Sequence, residues 1–208
     1  MITDIKRFEA MFFPENCYAV TITEGIFLVD PGEYTDSLKK FVLQNKNDIK
    51  YILLTHRHFD HVLATAEVIK DCPNAKIIIH KDEAEGLLDA AVSLAKKFDK
   101  PQQPIGADVL VEDGDIISLG DTKIKVMHTP GHTAGSVCYV VDDCIFCGDT
   151  IFKLSCGRTD LPSGNSVELL SSLKKLKGLD GEYKLYPGHN EDTLLSFEKE
   201  NNPFMAEL

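Results

Sequence analysis

Apolar strand-like runs alternate with helix-patterned segments along this chain, and the alternation predicts an α/β layered domain. Two further observations support that class. Strand-like runs occur in both halves of the chain, and several end in turns that carry Gly or Pro. With 208 residues, 43% of them hydrophobic, the chain can bury a full core, and residues 1–208 are expected to form one domain.

Taken in order, Tyr18–Ile22 and Ile26–Val29 are short apolar runs split by Thr23-Glu24-Gly25, which predicts a hairpin. Asp30-Pro31-Gly32 turns the chain after the second run. Leu38, Phe41, Val42 and Asn45 then follow helical spacing. Tyr51–Leu54 is a buried strand. A helix is expected from about Asp60, carrying Val62, Leu63, Ala66, Val68 and Ile69. Ile77–Ile79 is a strand, and Lys81–Phe98 is expected as a helix with Leu87, Leu88, Ala91 and Leu94 on one side. Lys100–Gly106, with two prolines, is a loop. Asp115–Leu119, Lys123–Met127, Ser136–Val141 and Cys144–Cys147 are strands. Val167–Leu176 is a helix, Tyr183–Tyr186 a strand and Glu191–Glu200 a last helix.

Charge excludes some functions. The net charge of −11 disfavours nucleic acid as a partner, because phosphate neutralisation needs Lys and Arg. No apolar run approaches membrane-spanning length, and the N-terminal stretch lacks the apolar core of a secretory signal. A cytoplasmic protein without a membrane partner is the expectation. Cys17, Cys72, Cys138, Cys144, Cys147 and Cys156 lack the spacing of a disulfide framework and are expected to be reduced. Cys144 and Cys147 form a C-x-x-C, but on a strand residues three apart face opposite sides, so small core residues are the expectation.

The chemistry gathers in Thr55-His56-Arg57-His58-Phe59-Asp60-His61. Three histidines and one aspartate fall within six positions there. Imidazole and carboxylate are zinc and iron ligands, and a pair of close metals activates water. A lone histidine in a polar loop is ordinarily just hydrogen-bonded. This cluster has partners downstream. His132 lies in Thr129-Pro130-Gly131-His132-Thr133, Asp149 in Gly148-Asp149-Thr150, and His189 in Tyr186-Pro187-Gly188-His189-Asn190. Each follows the end of an apolar strand, where rigid elements position groups that loops expose. His80 and His128 stand outside the set and are expected to be structural. Alone, Asp149 would be a turn cap; the joint pattern marks it as a ligand candidate.

With those residues in place, the sequence resembles the metallo-β-lactamase-fold hydrolases. His56-x-His58-x-Asp60-His61, His132, Asp149 and His189 match the family's metal set in order, and Asp30-Pro31-Gly32 resembles its early turn. Cys156-Gly157-Arg158-Thr159-Asp160-Leu161-Pro162 resembles the glyoxalase II-like and persulfide dioxygenase-like branch. The resemblance implies a four-layer αββα sandwich with the site at one edge of two sheets. It implies two divalent metal ions, zinc foremost, with iron or manganese as alternatives. His56, His58 and His132 would hold one ion and Asp60, His61 and His189 the other. Asp149 would bridge them with a hydroxide. Longer glyoxalase II enzymes add a C-terminal helical domain that grips glutathione; residues 1–208 are not expected to contain it.

On that basis the expected function is hydrolysis of small-molecule hydroxyacyl thioesters such as S-lactoylglutathione. A thiol with a pKa of about 8.5 leaves as thiolate without a strong general acid, so thioesters suit such a site better than amides. Asp60 is the candidate proton shuttle. Asp30 is a candidate to orient a ligand histidine from behind, and Arg158 to contact an anionic substrate group, with a surface ion pair as the alternative. The rivals are a persulfide dioxygenase with one iron on His56, His132 and Asp149, a lactonase or other hydrolase of the same fold, and a non-catalytic binding module.

Overall fold

The computed structural model describes residues 1–206 and 208. Two six-stranded sheets lie face to face. The first is built, in spatial order, from β1 (Ile2–Glu9), β2 (Asn16–Ile22), β3 (Gly25–Val29), β4 (Ile49–Leu53), β5 (Lys76–His80) and β6 (Val109–Val111). β1 to β3 pair antiparallel, and β3 to β6 pair parallel. Parallel neighbours need crossovers. Here α1 (Asp36–Asn45), then α2 (Phe59–Val62) with α3 (Thr65–Asp71), then α4 (Glu85–Leu88) supply them.

In the second sheet, β7 (Ile116–Leu119), β8 (Thr122–His128), β9 (Val137–Val141) and β10 (Cys144–Gly148) form an antiparallel meander. A small hairpin of β11 (Ile151–Phe152) and β12 (Ser155–Cys156) follows. α5 (Ser166–Lys177) then crosses over to β13 (Lys184–Pro187), which runs parallel to β10. β14 (Thr193–Leu194) closes the edge, and α6 (Leu195–Asn201) and α7 (Pro203–Ala206) end the described chain. The N-terminal half of the chain therefore makes one sheet and the C-terminal half the other.

Side-chain alternation explains the layering. On β2, Tyr18, Val20 and Ile22 point between the sheets, where they meet Ile124, Val126, Tyr139 and Phe146. Cys17 and Ala19 point outward onto Leu38, Val42 and Val68 of α1 and α3. On β10, Cys144 and Phe146 face inward, while Ile145 and Cys147 face Leu173 and Leu176 of α5. The two thiols of the C-x-x-C thus lie on opposite faces of one strand. All six cysteines are free. The result is the expected αββα sandwich. Among the described residues, no helix is long and apolar enough to cross a membrane.

Several elements depart from the sequence expectation. Lys81–Phe98 is not one helix. It holds α4, short 3-10 turns at Lys81–Glu83 and Lys96–Phe98, and irregular chain between them. Asp89 turns extended, and its side chain takes the Ala91 N–H, which competes with helix continuation. The Ser93 carbonyl accepts the N–H of Phe59 rather than that of a following helical residue, so the segment wraps the His-rich loop. The helix expected from Asp60 is broken into α2 and α3, with the Ala64 N–H given to the Pro31 carbonyl. The helix expected over Glu191–Glu200 starts at Leu195 because Thr193 and Leu194 pair with β13, and α7 follows it. β1, β6, β11 and β12 carried too weak an apolar pattern to be predicted.

Candidate metal centre

All seven sequence-predicted ligands converge where the C-terminal ends of the central strands of the two sheets meet. His56, His58, Asp60 and His61 follow β4 in the first sheet. His132, Asp149 and His189 follow β8, β10 and β13 in the second. Backbone in the left-handed region re-aims three of these loops, at Gly131 (φ 132°), Gly148 (φ 46°) and Asn190 (φ 68°). Gly188 is needed for space: a Cβ there would lie 2.5 Å from both Asp149 Oδ1 and His61 Cε1.

Two trios result. His56, His58 and His132 offer ligand atoms all within 4.8 Å of one another, and Asp60, His61 and His189 do the same. Asp149 stands between them. Its Oδ2 is 3.4 Å from His132 Nε2 and 3.5 Å from His189 Nε2, and its Oδ1 is 3.4 Å from His61 Nε2.

Four of the histidines are held from behind, which sets which nitrogen faces the site. His132 Nδ1 donates to the Arg158 carbonyl at 2.8 Å, and His189 Nδ1 donates to the Pro14 carbonyl. His61 Nδ1 donates to Asp30 Oδ2 at 3.0 Å. His56 Nδ1 lies 3.1 Å from Thr55 Oγ1, whose own proton goes to Asp30 Oδ2 at 2.5 Å. Asp30 therefore orients one histidine of each trio, one directly and one through Thr55. Asp30 sits at φ 49°, a backbone conformation that Asp tolerates better than most residues.

The electrostatics favour ligation at His56, His58 and Asp149, while His61 must give up a proton to bind a metal. Burial, then repulsion among neighbouring imidazoles, holds His56 well below its usual pKa and His58 at about 2, so both keep a free lone pair. Burial also works against charge on Asp149 and His61. Their mutual attraction outweighs it, and Asp149 is held well below the usual range and His61 well above. His56 Nε2, His61 Nε2 and Asp149 Oδ1 are buried with no hydrogen-bond partner; the 3.4 Å between the last two lacks hydrogen-bond geometry. Orphaned buried polar atoms are costly. A cation on each trio would satisfy His56 Nε2 and His61 Nε2, with Asp149 Oδ1 between them, so the residues present fit a metal pair.

Sequence reasoning missed three contributors. Glu83, buried, accepts the Arg57 N–H through one oxygen and the Gly135 N–H through the other, each at 2.8 Å, and so ties the two loops of the first trio together. Asn16 accounts for the third loop, since its amide donates to the carbonyls of Pro187 and Asn190 around His189. Glu15 is buried near the second trio with neither oxygen bonded, and burial pushes its pKa well up. None belongs to a ligand motif, and no signal in the sequence separates them from surface acids and amides. His80 and His128 stay outside the site and stack on each other, with ring centroids 4.5 Å apart.

A cavity of about 520 Å³ opens onto His58, Asp60, His132, Asp149 and His189. Arg158 also lines it, but its exposed guanidinium is bidentate to Asp160 at 2.6 and 2.7 Å, which matches the surface ion pair named as its alternative.

A family model of the metallo-beta-lactamase superfamily matches residues 10–189, and the chain belongs to that superfamily. Its members are generally metal-dependent hydrolases. An uncharacterized protein of Mycobacterium leprae is 34% identical, covering 98% of this chain and 99% of its own length. The hydroxyacylglutathione hydrolase of Francisella tularensis subsp. novicida is 33% identical over 78% of this chain and 58% of its own length. Among solved structures, the B3 metallo-beta-lactamase BLEG-1 superposes with a TM-score of 0.90 at 29% identity, covering 97% of this chain and 99% of that one. TTHA1623 in a di-iron-bound form gives 0.84 at 31% identity, covering 96% and 99%.

Proposed function

We propose that the protein is a dinuclear metal-dependent thioesterase of the glyoxalase II-like type, acting on small-molecule hydroxyacyl thioesters such as S-lactoylglutathione. The observation that carries this reading is the pair of trios with Asp149 between them. His56, His58 and His132 would hold one divalent ion, Asp60, His61 and His189 the other, and Asp149 both. Relatives described as a hydroxyacylglutathione hydrolase and as a di-iron form support the branch and the count of ions. Zinc is the first expectation, with iron or manganese as alternatives.

When bound, such a pair supplies a water of lowered pKa and a Lewis acid for the carbonyl oxygen. The chain's own residues do the rest. Asp30 and Thr55 fix the rings of His56 and His61, so little reorganisation is needed as charge develops. Asp60 borders the cavity, 3.6 Å from His189, and would hold the proton of the attacking water. The thiolate leaves without a dedicated acid, having a pKa of about 8.5. Arg158 lies on the same cavity and would contact an anionic group only on exchanging its Asp160 partner. The net charge of −11 keeps nucleic acid out of the substrate list, and the cytoplasm is the proposed compartment.

Metal analysis of the purified protein with a thioester panel tests this. Two ions per chain and turnover of S-lactoylglutathione are expected. A single iron, with oxygen uptake on glutathione persulfide and no thioester cleavage, would sink it.

A further inference from the structure

One wall of the cavity is apolar, and it belongs to none of the three cores that bind the sheets and helices. Phe59, Leu94 and Ala95 form a separate buried cluster, with Phe13 and Leu161 packed against it. The rings are ordered: Phe13 meets Phe59 edge-on at 4.9 Å and Phe98 at 5.9 Å, and Phe59 lies 5.0 Å from Phe98. All three rings border the cavity. Phe59 sits in sequence between His58 and Asp60, so the wall begins beside both trios. Phe98 is 39% exposed, a large apolar surface left open beside the candidate metal centre.

The opposite requirement, cations for an acidic carrier, is poorly met. Arg158 is the one Lys or Arg among the described residues that line the cavity, and Asp160 already matches its charge. A substrate whose affinity came from several carboxylates would find little to hold it there. An apolar group would bury surface on both sides and expel water from the reacting centre.

We propose that Phe13, Phe59, Leu94, Phe98 and Leu161 form a subsite for an apolar, ring-sized substituent of the substrate, next to the scissile bond. The inference rests on the thioester-hydrolase reading and deepens it: among thioesters, those with a bulkier apolar group are preferred over lactoyl-sized ones. The substituent can belong to the acyl side or the thiol side, and hydrolysis separates the two as a carboxylate and a thiol.

Product binding to the metal-loaded protein, followed by calorimetry, tests the subsite without relying on turnover. Phenylacetate compared with acetate and lactate probes the acyl side; benzyl mercaptan compared with glutathione probes the thiol side. In one of these arms the ring-bearing ligand is expected to bind at least about tenfold tighter, since even one methylene in an apolar pocket is worth that much. Phe98→Ala should reduce the ratio to within about threefold. Phe98 is partly exposed, so the variant should fold, and the wild-type ratio stands by itself. Equal affinities in both arms, or a ratio that Phe98→Ala leaves intact, would overturn the subsite whatever the enzyme's activity. A ring preference without cleavage of any thioester would leave the subsite standing and remove the thioesterase reading instead.

Discussion

Glu83 accepts the backbone N–H of Arg57 at 2.8 Å, and its other oxygen takes the N–H of Gly135 at the same distance. Arg57 lies between His56 and His58, and Gly135 lies three residues past His132. Glu83→Gln keeps the shape but offers one N–H a donor instead of an acceptor. Leaving a buried donor unpaired costs about 1–3 kcal/mol. For a chain of this size each kcal/mol lowers Tm by about 2–4 °C. Thermal unfolding of wild type and variant checks this, and an unchanged Tm would show that the clamp contributes nothing.

Asp30 reaches His61 directly and His56 through Thr55, so its loss touches both trios. Asp30→Asn tolerates the left-handed backbone but cannot accept all three donors, the Thr55 N–H, the Thr55 hydroxyl and His61 Nδ1. Affinity for both ions should fall about 10–100-fold. Competition with a chromophoric chelator measures each ion in turn; weakening confined to one ion would contradict the shared role.

Gly188→Ala puts a methyl 2.5 Å from Asp149 Oδ1 and His61 Cε1. Either group must move, and a shift of about 1 Å at reacting groups costs around 100-fold in rate. The expected outcome is a folded protein with kcat/KM down by about that factor. Wild-type kinetics in this variant would mean that the loop relaxes freely.

Below pH 6.5 the stacked His80 should act as a destabiliser. Burial, then the neighbouring His128, lowers its pKa from 6.5 in the folded state. The unfolded chain thus takes up a proton that the folded one resists. Stability from this group is complete above pH 6.5 and is lost as pH falls toward the folded pKa. His80→Asn can still accept the Asp82 N–H and does not titrate. The stability of the variant should therefore fall less steeply between pH 6.5 and 5 in denaturant titrations, and parallel slopes would refute the assignment.

The ligand set was legible because each member sits in a short polar motif at the end of an apolar run. Such motifs advertise themselves in one dimension. Glu83 and Asn16 did not, since their value comes from backbone groups that only the folded chain brings near them. Lys81–Phe98 misled for a related reason: its apolar spacing fits a helix, but Leu94 and Phe98 are apolar in order to meet Phe59 and Phe13. Nothing local distinguishes those two purposes. β6 and β14 have three and two residues, too few to show a period.

Each trio draws two residues from the stretch between β4 and the end of α2 and one from the opposite sheet. An ion seated there is a reversible rivet through the seam between the halves of the chain. A chain nicked in the short link between β6 and β7 would keep its halves together through the apolar seam of Val20, Phe27, Val126 and Phe146, and bound metal would add to that hold.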